Sequence, residues 1–183
     1  MSKPPISWGC WEAQMINRIL FCVETTKRAD TDYQYIRETI RQFYEETSKN
    51  VIRPVYMESK TRYNSKAVQE EIRRQSEYSE KTKVIYCIDT DDYDVSADDG
   101  KLLERIREYC DANGYDFVFF CKDVEDVFCG RKIPDTEKIS AIRKYKSSQA
   151  IRNMKADHLE KDEYQIHCSN ILNVLDQYWK RRK

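Results

Sequence analysis

Three short acidic stretches carry the residues best suited to chemistry: Glu24 in "VETTK", Asp89 and Asp91 in "CIDTDD", and Glu125 and Asp126 in "DVEDVF". Each follows an apolar run. Carboxylates gathered from separate segments repel one another, and their pKa values rise unless a cation lies among them. Donors that are all oxygen suit Mg2+ or Mn2+, which keep several waters and bind phosphate as well. A metal held in this way can activate water and steady a leaving oxygen in phosphodiester cleavage. The plainer alternative for Glu24 is a cap on the following helix or a pair with an arginine. Asp92, Asp94, Asp98 and Asp99 crowd the same region and read as solvated loop acids or helix caps.

Strands must present these acids. The runs "RILFCVE" (18–24), "VIRPVYM" (51–57), "KVIYCID" (83–89) and "DFVFFCK" (116–122) have strand length. Three are almost continuously apolar, as strands covered on both faces are. Pro54 assigns the second to a sheet edge or a bulge. Helical spacing is expected over 32–48, with Asp32 as N-cap, then over 65–79 from Ser65 and over 101–112, closed by Gly114. Further helices are expected over 135–146 and 157–182. The alternation predicts an α/β domain with a mainly parallel, four-stranded sheet flanked by helices. In open sheets of this kind ligands bind beyond the carboxyl ends of the strands, where the acids stand. An N-terminal arm or helix (1–17, with Trp8 and Trp11), an α/β domain (18–150) and a C-terminal helical extension (151–183) complete the expected layout.

The chain has 183 residues, 35% of them charged, and no net charge. Attraction to a polyanion must therefore be local. Its seven cysteines form no CxxC pair, and there are only two histidines, His158 and His167, so zinc-ligand spacing is absent. Free thiols and a reducing, cytoplasmic setting are expected. No apolar run is long enough for a membrane span, and no signal peptide is visible. There is no GxxxxGK[ST] phosphate loop.

Residues 131–155 hold eight Lys or Arg against two acids. Arg131, Lys132, Arg143, Lys144, Lys146 and Arg152 are candidates for sequence-independent, salt-sensitive phosphate contact. Tyr145 among them could stack on a base. Lys27, three residues after Glu24, could steady a phosphate or a developing negative charge.

The strand ending in Glu, "ILFCVETTK", the strand ending in DxD, "VIYCIDTDD", and the third motif "DVEDVF" together resemble the TOPRIM fold of topoisomerases, primases and OLD-type nucleases. The small RloB-like branch is the nearest in flavour: "VETTKRADTDYQYI" is similar to its first strand and aromatic helix, and "VEDVF" to its later acidic segment. The resemblance covers roughly residues 18–150. It implies a TOPRIM-like (Rossmann-like) sheet and an Mg2+- or Mn2+-dependent endonuclease active in prokaryotic antiviral defence. Glu24, Asp89, Asp91 and Lys27 would be catalytic, and Glu24, Asp89, Asp91 and Glu125 would hold the metal. The implied partners are DNA or RNA, tRNA included, with an ATPase or other protein, or an oligomer, as further partners. The sequence departs from the family at Thr25, where glycine is usual, and at Ala29, where an acid is usual. These departures keep open a degenerate TOPRIM-like module that binds nucleic acid or a protein without cutting.

Overall fold

The structure is a computed structural model that describes residues 17–45 and 50–182. The expected N-terminal arm with Trp8, Cys10 and Trp11, and the end of the first expected helix, lie outside the described residues.

Strands β1 (Asn17–Val23), β2 (Asn50–Tyr56), β3 (Lys81–Asp89) and β4 (Asp116–Cys121) run parallel, and β5 (Cys168–Ser169) adds an antiparallel edge. The spatial order is β2-β1-β3-β4-β5, with Leu20 opposite Val84 and Ile88 opposite Phe119. β2 is the outer strand on its side, which is where Pro54, lacking an N–H, is tolerated.

Successive side chains on a strand point to opposite faces. Both faces here are covered, so the apolar runs do not alternate with polar residues. Ile19, Phe21, Val23, Ile85, Cys87, Val118 and Phe120 pack on one face against α1 (Thr31–Phe43), α4 (Val124–Cys129), α5 (Lys138–Ser147) and α6 (Ile171–Leu175). Leu20, Cys22, Val84, Tyr86 and Ile88 pack on the other against α2 (Lys66–Ser76) and α3 (Ala97–Asn113). Full burial of one such Ile, Leu or Phe side chain stabilises the fold by roughly 2 kcal/mol.

Local signals set several ends. The Ser65 hydroxyl accepts from the Val68 N–H and starts α2. Gly114, at φ 66°, closes α3 in the left-handed conformation that glycine adopts without strain. Asp32 is not the cap of α1. Asp30 occupies that position, and Asp32 lies buried in the first turn.

The C-terminal segment corrects two expectations. The sheet has five strands, not four, and 157–182 is not one helix. It is a short 3-10 turn, β5 and the five-residue α6. Ile166, counted on the expected apolar face, is 62% exposed, while Leu159, Ile171, Leu172, Leu175 and Trp179 enter the first core. The cause is the outer edge of β4. An open edge strand leaves unpaired backbone groups. Here His167 N–H donates to Cys121 O, Ser169 Oγ to Phe119 O, and the Asn170 side chain bridges Phe119 N–H (2.9 Å) and Phe117 O (3.0 Å). A continuous helix could not supply these bonds.

Six described cysteines are free, and five of them are buried. Among the described residues no helix is long and apolar enough to cross a membrane.

Candidate acidic site at the strand ends

The chain winds outward from β1 to β2, then returns to the other side of β1 as β3. The order therefore reverses between β1 and β3, the place beyond whose carboxyl ends open sheets of this kind bind ligands. Glu24 is the first residue after β1, and Asp89 is the last of β3. Glu24 Oε1 accepts the Asp89 backbone N–H at 2.8 Å, joining residues 65 positions apart. Asp89 Oδ1 in turn accepts the Val124 N–H at 3.1 Å, which ties the end of β3 to the start of α4.

Other acids close around this pair. Asp32 Oδ2 accepts the Thr25 N–H at 3.3 Å. Asp123 caps α4 through the Asp126 N–H at 2.7 Å. Glu125 follows in the first turn with no exposed surface. Neither of its carboxylate oxygens accepts a hydrogen bond, although Lys138 Nζ stands 3.1 Å from Oε2 as a charge partner.

Crowding and burial act together on these groups. Burial pushes Glu24 up to about 8, helped by the charges of Asp32 and Asp91 and opposed by the Asp89 N–H and by Lys60. Asp89 is raised well above the usual carboxylate range by burial and then by Glu24, Asp32, Asp123 and Glu125. Burial lifts Asp32 to about 6 and Glu125 to about 7, with Lys138 opposing in both cases. Burial alone would lower the Lys138 ammonium, but Glu125, Asp89 and Asp123 hold it above its ordinary range.

Asp91 behaves differently from Asp89. It adopts φ 47°, its side chain is half exposed, and it pairs with the Lys60 ammonium. Lys60 is buried and also donates to Asp89 O at 3.2 Å. Asp92 and Asp94 pair with Lys122 at 3.3 and 3.6 Å, and Asp98 and Asp99 lie in the first turn of α3, where Asp99 Oδ1 is also 4.0 Å from Lys60 Nζ. Asp126 faces away from the cluster toward His167 Nδ1, 3.0 Å from its Oδ2.

Lys27 is exposed in a groove beside Tyr56, Glu71 and Arg74, and its charge acts on Glu71. The cations brought to the acids are Lys60 and Lys138. Sequence reading missed Lys60, which carries no local signal, counted Lys138 only within a basic stretch, and read Asp32 as a cap. Thr25 lies outside the left-handed region, so the turn after Glu24 does not require glycine. Tyr145 is buried against Tyr35 and Phe128, which corrects its reading as a stacking residue. Arg131, Lys132, Arg143, Lys144, Lys146 and Arg152 are all exposed. Lys132 acts electrostatically on Asp123, whereas Arg152 lines a separate groove with Glu38 and Arg41.

Among the described residues no three His, Cys, Asp or Glu side chains form a group spaced to hold a metal ion. The converging groups are all carboxylates, the donor type a hard divalent cation takes, but the Lys138 ammonium already stands against Glu125. Comparison of the chain with protein-family models, curated proteins and solved structures found no match.

Proposed function

We propose that the chain is an Mg2+- or Mn2+-dependent, TOPRIM-like nuclease of the RloB-like kind that cleaves phosphodiester bonds in nucleic acid. The bond between Glu24 and the Asp89 N–H carries this reading, because it brings the first and second acidic motifs together at the sheet's switch point. Glu24, Asp89, Asp91 and Glu125 are the carboxylates that the resemblance assigns to the metal, and they would have to draw closer to hold one, since no three of them are spaced for it as they stand. Bound there, such an ion supplies positive charge for phosphate oxygens and lowers the pKa of water.

The protein's own groups have separable tasks. The Glu24–Asp89 and Asp89–Val124 bonds fix the acids to three different segments, so they are positioned before substrate arrives. Lys60 holds Asp91 and the carbonyl of Asp89, which steadies the loop that presents Asp89. Exposed Arg131 and Lys132, just after α4, would draw a phosphate backbone toward the acids, with Arg143, Lys144 and Lys146 along α5 extending the path. Defence against foreign genetic elements and a partner ATPase belong to the same reading and rest on the resemblance.

A second reading is a TOPRIM-like module that binds nucleic acid or a protein without cutting. The contact of Lys138 with Glu125 favours it, since an ammonium already neutralises part of the cluster. One assay separates the two. Plasmid, single-stranded DNA and tRNA are incubated with the protein in Mg2+ or Mn2+, beside Glu24→Ala and Asp89→Asn. Cleavage by the wild type that both substitutions abolish supports the nuclease. Cleavage surviving both removes the acids from the reaction, and salt-sensitive binding without cleavage supports the second reading.

A further inference from the structure

The outer edge of β2 carries cations that the acidic site does not use. Lys27, Arg37 and Arg53 are exposed and form no ion pair among the described residues. They share one patch. The Arg37 guanidinium lies over the Tyr33 ring, 6.0 Å from its centre, and the charges of Arg37 and Arg53 both act on Tyr33. Beside Tyr33 the Tyr56 hydroxyl donates to Asp30 Oδ1 at 2.7 Å. Tyr56 in turn lines a groove of about 450 Å³ with Lys27, Pro54, Arg74 and Gln75. Asp30 and Glu71 also stand here, and both are engaged, Asp30 by Tyr56 and Glu71 by two bonds from Arg74 at 2.9 and 2.7 Å.

The same edge is guarded against a pairing strand. Met57 N–H donates to Val23 O at 2.9 Å. Backbone groups alternate in direction along a strand, so Arg53 and Val55 turn theirs to β1, while Ile52, Pro54 and Tyr56 turn theirs outward. Pro54 has no N–H to offer in the middle of that row, and the Arg53 guanidinium covers the Ile52 carbonyl at 3.1 Å. What the edge presents is side-chain charge.

We propose that the β2 edge is a nucleic-acid track, on which Lys27, Arg37 and Arg53 hold the phosphate backbone. This rests on the nucleic-acid reading given above and needs no metal. Phosphates are held by side-chain cations without the backbone pairing that a peptide strand requires. Tyr33 is 7% exposed beneath Arg37, and Tyr56 gives its hydroxyl to Asp30, so the contacts are to phosphate and carry no sequence preference. Lys27 follows Glu24 by three residues, so the track begins beside the acids. Arg131 and Lys132 follow α4, which packs on β4 toward the other side of the sheet. A strand held at both places passes over the acids.

The test follows the fluorescence anisotropy of labelled oligo-dT of about 20 nucleotides, in EDTA, across a salt series. Lys27→Gln, Arg37→Gln and Arg53→Gln together are expected to reduce the steepness of log K against log salt by about 2, since each phosphate contact on a single strand is worth about 0.7. Binding at about 0.1 M salt is expected to weaken by more than about tenfold. Lys83→Gln, Lys101→Gln and Arg105→Gln together remove the same charge from exposed positions on β3 and α3, and are expected to stay near the wild type. An unchanged oligo-dT slope, or an equal fall in this control, overturns the track and leaves the nucleic-acid reading standing. No binding by the wild type removes both. A duplex of the same length is run beside the single strand, and a matching fall there extends the track to both forms. Poly-glutamate is the acidic-protein arm: loss of its binding by the first variant, with oligo-dT binding kept, makes the edge a protein surface and overturns the proposal. Should the first variant not fold by circular dichroism, Arg53→Gln decides alone, with an expected fall of about 0.7. No fall in that variant overturns the track.

Discussion

Replacing Glu24 with glutamine is expected to make the metal-free protein more stable at pH 8 while removing its metal response. Glutamine keeps the shape and an oxygen that can accept the Asp89 N–H, which Glu24 accepts at 2.8 Å. What it removes is a charge crowded by other acids at a partly buried position. Burial and neighbouring acids raise the Glu24 pKa from 4.5 to about 8. A carboxyl that binds its proton more tightly when folded contributes stability in full below pH 4.5, and that contribution drains away as pH climbs to about 8. If Glu24 titrated alone the loss would reach about 5 kcal/mol, since each tenfold change in proton affinity is worth about 1.4 kcal/mol. Asp89 and Asp32 share protons with it across the same cluster, so about 2 kcal/mol is the working figure. Urea unfolding followed by circular dichroism, with EDTA present, measures the difference at pH 5 and pH 8. Glu24→Gln is expected to gain about 2 kcal/mol at pH 8 and less than about 0.5 kcal/mol at pH 5, with the denaturant slope unchanged. Mn2+ at pH 8 should then stabilise the wild type and leave the variant unmoved. A variant no more stable than the wild type at pH 8 would refute the idea that Glu24 is held as a costly anion.

Two other perturbations probe the surroundings. Lys60→Met removes a buried donor to Asp89 O and the partner of Asp91, and is expected to cost about 1–3 kcal/mol in urea unfolding. A loss near zero would place Lys60 with the weak surface pairs. Arg131→Ala combined with Lys132→Ala is expected to flatten the salt dependence of single-stranded DNA binding, lowering the slope of log K against log salt by about 1.4. Fluorescence anisotropy across a salt series measures this, and an unchanged slope takes both residues off the strand's path.

Much of the frame was legible because burial on both faces leaves a plain mark. The four parallel strands read as apolar runs, Pro54 marked the edge, and Ser65 and Gly114 marked helix ends. Glu24 and Asp89 were legible for the same reason, since each stands where an apolar run stops. The C-terminal segment was not. Leu159, Ile171, Leu172, Leu175 and Trp179 fit a helical period, but the open edge of β4 claims His167, Ser169 and Asn170 for its own hydrogen bonds. Local periodicity cannot register a demand made by a strand some fifty residues away, the separation between Phe119 and Ser169. Asp32, Lys60 and Lys138 were illegible on similar grounds. Each reaches the acids from a helix start or a loop, and only the packing of those elements on the sheet decides which way the side chain goes.

The two lysines explain how one end of a sheet can hold so many acids. A chain with no net charge has no general excess of cations to offer them. Compensation must come from particular side chains, and Lys60 and Lys138 differ in how they are held. Lys60 is enclosed, donates to the carbonyl of Asp89 and neutralises Asp91, with Asp99 4.0 Å away. Its removal leaves a backbone oxygen short of a donor, so its place is fixed by the fold. Lys138 neutralises a carboxylate whose oxygens make no hydrogen bonds, and it has an exposed acid waiting 3.6 Å away. Lys60 is therefore held by a backbone bond as well as by charge, whereas Lys138 is held by its two carboxylates alone.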